Sequence, residues 1–116
     1  MTEQLAYDVV VVGSGIAGLR AAIEAARVSK GKASIAVLTK VQAMRSHSVS
    51  AEGGTAAVLY PDKGDTIESH IYDTIKGSDF LADQDAVEFF ANAMPSEIYL
   101  LEHWGMPWSR TEDGRV

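Results

Sequence analysis

Cysteine is absent from the 116 residues, so neither a disulfide framework nor a thiolate metal site can be built. This fits a reducing compartment. Long hydrophobic runs are missing too: nothing approaches the ~18 consecutive apolar residues of a bilayer-spanning helix. A basic excess is also lacking. Ten Lys and Arg face sixteen Asp and Glu, and the net charge of −6 argues against a nucleic-acid partner or an anionic membrane surface. The opening "MTEQLAYD" has neither an apolar signal core nor an Arg-rich transit segment. Repeats, low-complexity tracts, clear linkers and clusters with metal-ligand spacing are all wanting.

What is present is a dense α/β pattern. "YDVVVV", Tyr7 to Val12, is a short β-branched run of the kind that forms a strand buried on both faces. The next stretch places Ala17, Ala21, Ala22, Ala25 and Val28 on one small-residue helical face, with Gly31 as its stop. A second strand is predicted over Ala33 to Lys40. The C-terminal half reads as helical. Ile67, Ile71 and Ile75 mark one helix, which "KGSD" breaks. Val87, Phe90, Ala91, Met94, Ile98 and Leu101 mark another stretch, inside which Pro95 is expected to open a new helix at its first turn. "PWSRTEDGRV" reads as a strand entering a turn at Asp113-Gly114. Two parallel strands and half a hairpin do not make a stable sheet. The chain is therefore expected to be the N-terminal piece, residues 1–116, of a longer protein, with its remaining domains beyond Val116.

The first chemical motif is Gly13-Ser14-Gly15-Ile16-Ala17-Gly18, a GxGxxG between a strand and a helix with a second strand about twenty residues on. Gly13 allows the tight turn, Gly15 lets a pyrophosphate approach the backbone, and Gly18 lets helix and strand pack closely. The phosphates then meet the N–H groups and positive dipole end of the helix. The acidic residue expected at the end of the second strand is replaced by Thr39 and Lys40. Lys40 is suited to a 2′-phosphate, so an NADP-binding module stands as a rival to an FAD site.

The segment "MRSHSVSAEGGTAAV", Met44 to Val58, is small, polar and glycine-rich, which lets backbone come close to a flat ligand. Ser46 and Ser48 offer hydroxyls, Gly53 and Gly54 offer bare amides, and Arg45 offers a charge for a phosphate or an electron-rich ring. His47 carries the segment's nucleophilic ring nitrogen. His70 and His103 read as a packed helix residue and a helix C-terminal cap. Glu68, Asp79, Asp83 and Asp85 read as solvated or N-capping carboxylates. Trp104 and Trp108 read as packing of a turn.

The strings "DVVVVGSGIAGLRAA", "VLTK", "MRSHSVSAEGG", "DTIKGSDFLADQDAV" and "WGMPWSRTEDG" together resemble the flavoprotein subunit of succinate dehydrogenase and fumarate reductase, from about Tyr7 to the last residue. The resemblance implies an incomplete α/β domain with a Rossmann-like FAD-binding βαβ unit followed by helices. It implies an oxidoreductase of the CH–CH group that interconverts fumarate and succinate by hydride transfer at FAD, with the flavin held covalently through His47. It also accounts for Thr39-Lys40 without NADP, since the family carries Ser/Thr-Lys there. Aspartate oxidase, a related FAD-dependent alternative, shares the glycine motif but lacks a histidine at this place. Glu52 leans toward fumarate reductase, where many succinate dehydrogenases carry Gln. The cofactor-binding set expected from motif and resemblance together is thus Gly13, Ser14, Gly15, Ile16, Ala17, Gly18, Thr39, Lys40, Ser46, His47, Ser48, Glu52, Gly53 and Gly54. The family's catalytic arginine and histidines lie later in the chain, so no catalytic residue is assigned. The implied partners are a dicarboxylate substrate, an iron–sulfur subunit and, through it, a membrane anchor. The implied setting is the cytoplasmic face of a prokaryotic membrane, in anaerobic respiration or the tricarboxylic acid cycle.

Overall fold

A computed structural model describes residues 4–116. It divides into two compact units, Met1–Gly53 and Gly54–Val116. Among the described residues no helix is long and apolar enough to cross a membrane.

The first unit is a β–α–β arrangement. Strand β1 (Val9–Val12) runs parallel to β2 (Ile35–Leu38), with Val9 opposite Ile35 and Val12 opposite Leu38. Both lie inside the predicted strands and are shorter by two residues or more at the N-terminal side. Helix α1 (Ile16–Val28) connects them and packs on both. Of its predicted small-residue face, Ala22 and Ala25 are half-buried, while Ala17, Ala21 and Val28 are exposed. The helix ends as expected: Gly31, at φ +71°, returns its N–H to the Ala26 carbonyl at 3.0 Å. The strands are more exposed than a doubly covered sheet would be, with Val10 at 54% and Val12 at 80%.

Two contacts fix this unit. At the entry to the sheet the Asp8 carboxylate accepts from the Ser34 N–H at 2.8 Å and from the Ser34 hydroxyl at 2.7 Å. The Asp8 N–H in turn donates to the Ser34 carbonyl at 3.1 Å, so the two chain segments are clamped reciprocally. These bonds, the backbone one first, hold the Asp8 carboxyl below its ordinary pKa. At the other end, α1 lies so close to its own launching turn that a Cβ on Gly18 would sit 2.0 Å from the Gly13 carbonyl oxygen.

After β2 the chain makes a 3₁₀ turn (Ala43–Arg45) and a single helical turn, α2 (His47–Ser50). The Met44–Val58 segment is thus not wholly irregular, since its middle is coiled. Ser46 caps α2 by a long bond of 3.4 Å from the Val49 N–H.

The second unit is a helical pair. Helix α3 (Ile67–Gly77) is capped by Thr66, whose hydroxyl accepts from the Ser69 N–H at 3.1 Å. Helix α4 (Gln84–His103) is capped by Asp83, which accepts from the Ala86 N–H at 3.1 Å. The isoleucines at 67, 71 and 75 are half-buried where α3 packs on α4. Ala91, Ile98 and Val58 form the buried centre. His70 stacks edge-to-face on Phe90 with centroids 6.0 Å apart, as a packed residue does. His103 closes the last turn of α4.

Two expectations are corrected. Pro95 does not open a new helix: α4 is continuous through it. The buried residues Ala91 and Ile98 flank the proline on one packed face, and that burial outweighs the hydrogen bond Pro95 cannot donate. Nor does Pro107–Arg110 form a strand. Its polar groups go elsewhere: the Trp108 indole N–H donates to the Ile98 carbonyl of α4 at 3.0 Å, and the Trp108 amide to the Met106 carbonyl at 3.1 Å. The turn at Asp113-Gly114 is present. The Gly114 N–H donates to the Thr111 carbonyl at 2.9 Å, with ion pairs Arg115–Asp113 and Arg110–Glu102 alongside.

Two predictions follow from the first unit. Gly18→Ala in the full-length protein should destabilise by about 1–3 kcal/mol or more, because backbone and not a flexible side chain must give way. Gly77→Ala, whose Cβ would meet open space within α3, should be neutral or mildly stabilising. Equal melting temperatures for the two variants would contradict the close approach. The second concerns Asp8→Asn. The Asp8 carboxyl has a depressed folded pKa, so its contribution is present above its unfolded value of ~3.9 and is lost as pH falls through the folded one. The stability gap between wild type and Asp8→Asn should stay constant from pH 7 down to about 5 and close only below that. A gap that closes between pH 7 and 5 would assign it to another group.

Candidate functional site: the cleft beside the glycine turn

The glycine turn opens with Gly13 at φ +114°, a conformation that side chains rarely adopt. Ser14 follows and is 5% exposed. Its hydroxyl lies 2.8 Å from that of Thr39 at the end of β2, and the Thr39 hydroxyl donates to the Val41 carbonyl at 2.6 Å. Thr39 has one proton and spends it on Val41, so Ser14 is the donor of the pair. This short chain of hydroxyls joins the glycine turn to the end of the second strand.

The first amide of α1 is engaged as well. The Ile16 N–H donates to the Ser48 hydroxyl at 3.0 Å. A Cβ on Gly15 would lie 3.4 Å from that same oxygen. A methyl at Gly15 would thus sit in ordinary van der Waals contact with Ser48.

These bonds enclose an open cleft of about 520 Å³. Its lining brings together Gly13, Ser14, Gly15, Thr39, Lys40, Ser46, His47 and Ser48 from the expected set, with Arg45 and Val41 beside them. Ile16, Ala17 and Gly18 lie behind the lining as the first residues of α1. Glu52 and Gly53 belong to the same unit, are exposed, and do not line the cleft. Gly54 belongs to the second unit, where with Thr55, Leu59, Ile98 and Trp108 it lines a separate cavity of about 360 Å³. Val41 is the lining residue the sequence did not single out. A lone valine past a strand end carries no signal beyond its neighbours Thr39 and Lys40.

The chemistry of the lining is that of an anion seat. Lys40 and Arg45 supply positive charge, and among the described residues no carboxylate lines the cleft. The N-terminus of α1 adds its dipole. Ser46 and Ser48 use their oxygens as internal acceptors, toward Val49 and Ile16, and each retains a hydroxyl proton. The residues present therefore fit the phosphates of a dinucleotide, with the imidazole of His47 in the same lining.

The second unit holds one further candidate. Thr55, Val58, Asp65, His70 and Asp73 line a cavity of about 260 Å³, where the buried Nδ1 of His70 meets no hydrogen-bond partner among the described residues. No group of three or more metal-ligating side chains exists among the described residues.

Comparison with known proteins places the fold. The family described as FAD binding domain matches residues 8–116. The fumarate reductase flavoprotein subunit of Mycobacterium tuberculosis is 53% identical over 116 residues, which is all of this chain and 19% of that protein. The succinate dehydrogenase flavoprotein subunit of Coxiella burnetii is 49% identical over 110 residues, 95% of this chain and 18% of that protein. Among solved structures, the Escherichia coli quinol fumarate reductase subunit superposes with a TM-score of 0.84 at 50% identity, over 95% of this chain and 18% of that one. A Mycobacterium smegmatis Sdh1 complex superposes with a TM-score of 0.82 at 40% identity, again over 95% and 18%. The chain thus spans less than a fifth of the length of these relatives. It belongs to the FAD binding domain family, and its counterparts there are the flavoprotein subunits of fumarate reductase and succinate dehydrogenase.

Proposed function

We propose that this chain forms the Rossmann-like dinucleotide-binding part of a flavoprotein subunit that interconverts fumarate and succinate, with a lean toward fumarate reduction. The observation that carries the reading is the cleft itself: the glycine turn and the Arg45–Ser48 segment line one cavity, so a phosphate seat and a nucleophilic imidazole face the same ligand. Gly13, Gly15 and the first turn of α1 would take the pyrophosphate, with Lys40 and Arg45 neutralising its charge. His47 would hold the isoalloxazine covalently. FAD supplies the hydride chemistry when bound.

Attachment would join a ring nitrogen of His47 to the 8α carbon of the flavin, and the displaced protons and electron pair would be taken up by the flavin itself, so no outside oxidant is required.

Glu52, Gly53 and Gly54 continue the segment toward the flavin in this reading, and Glu52 supports the lean toward fumarate reductase. An iron–sulfur subunit, a membrane anchor and a dicarboxylate are the proposed partners, on the cytoplasmic face of a prokaryotic membrane. The NADP alternative rests on Lys40 alone, whereas the match over residues 8–116 is to an FAD family. The aspartate oxidase alternative leaves His47 without a role.

Two measurements on the full-length protein test the proposal. Wild-type protein should keep yellow colour in the acid precipitate, whereas His47→Ser should bind FAD and release it to the acid supernatant. The covalent link raises the flavin potential in the resembled family, and ~30 mV corresponds to ~1.4 kcal/mol for a two-electron couple. Succinate oxidation should therefore fall more than fumarate reduction in the variant. Flavin that stays with precipitated His47→Ser protein would move the attachment elsewhere, and a colourless protein that binds NADPH would favour the rival. Gly15→Val should abolish FAD uptake: its Cβ would already stand 3.4 Å from the Ser48 hydroxyl, and its methyls would intrude on the phosphate seat. Full flavin occupancy in that variant would show the dinucleotide to be placed wrongly.

A further inference from the structure

The one-turn helix α2 has little to hold it. Four residues lie far below the length at which a helix is stable by itself. Its own cap, Ser46 to Val49, is long at 3.4 Å. All four residues, His47 included, are exposed. Yet its second residue, Ser48, reaches across 32 positions of sequence to accept the Ile16 N–H at 3.0 Å. Serine hydroxyls that cap helices belong as a rule to the residue just before them. Here the N-terminus of α1 takes its acceptor from a different helix.

We propose that Ser48 is a positioning residue. Its hydroxyl oxygen struts α2 against the first amide of α1 and thereby holds the adjacent His47 in the lining of the cleft. The inference rests on the reading of His47 as the attachment residue, but the strut itself does not need flavin. Without it, α2 samples more orientations, and the fraction of time His47 spends facing the cleft falls. One hydrogen bond is worth about 1 kcal/mol net, so the effect is a population shift of a few-fold to tenfold.

Ser48→Thr and Ser48→Val in the full-length protein make the test, since the two differ only by a hydroxyl against a methyl. The readout is the initial rate of covalent flavin incorporation, followed as fluorescence retained on acid-precipitated protein. The threonine variant should stay near wild type, and the valine variant should be slower by about fivefold to tenfold. Amide exchange at Ile16 should be faster with valine than with threonine. Should the valine variant be insoluble, Ser48→Ala takes its place with the same expectation. Equal attachment rates or equal Ile16 protection would each overturn the strut. Wild-type protein without covalent flavin would sink the attachment reading instead, and the Ile16 comparison would still decide whether Ser48 holds α2.

Discussion

The first unit depends on one close approach, that of Gly18 to the Gly13 carbonyl. A Cβ at position 18 would lie 2.0 Å from that oxygen, far inside any van der Waals contact. Because hydrogen replaces that carbon, α1 begins while the turn is still folded against it. The helix N-terminus consequently opens onto the end of β1 and not away from it. Gly13 at φ +114° reverses the chain in the space this leaves. Everything that makes the cleft an anion seat follows from that tight geometry: the dipole end of α1, the buried Ser14, and the nearness of β2.

The end of β2 is where the motif departs from the common dinucleotide pattern, and the structure gives a physical sense to the departure. Thr39 passes its proton to the Val41 carbonyl and receives one from Ser14. A carboxylate at this place would accept from Ser14 but could donate nothing to Val41. A hydroxyl does both, so the glycine turn and the strand end are locked through a buried serine. Lys40 is then left exposed beside the cleft, where its charge is available to a phosphate. The same lysine that suggested a 2′-phosphate would serve a flavin dinucleotide equally well on charge alone. Lys40 taken by itself therefore could not discriminate between the two cofactors.

Much of this was legible in the sequence because local rules and packing agree there. Four consecutive valines, a glycine-punctuated turn and an alanine-rich helix point the same way, and β1, α1 and β2 appear where the pattern puts them. The misreadings fall where tertiary contacts override local preference. Pro95 is a helix breaker by propensity, yet Ala91 and Ile98 on either side are buried together and hold the helix through it. The extended look of "PWSR" gave no hint that the Trp108 indole would bond the Ile98 carbonyl ten residues back. In the site, spacing identified the glycines, and composition identified the serine–histidine segment. Neither could show that the oxygens of Ser46 and Ser48 are already used within the protein, since a hydroxyl's partner depends on what folds against it.

The charge distribution resolves an apparent contradiction between a net charge of −6 and a seat for a pyrophosphate. Screening at physiological ionic strength confines exposed charges to roughly 8 Å, so a ligand responds to its lining more than to the total. Among the described residues the cleft lining holds Lys40 and Arg45 and no carboxylate. Two carboxylates of the first unit are bonded elsewhere: Asp8 to Ser34, and Glu24 to Arg27, whose guanidinium holds that carboxyl below its ordinary pKa. Each such pairing keeps a carboxylate ionised at a place remote from the glycine turn in the bonding pattern. The charge lining the cleft is thus opposite in sign to the net charge of the whole chain.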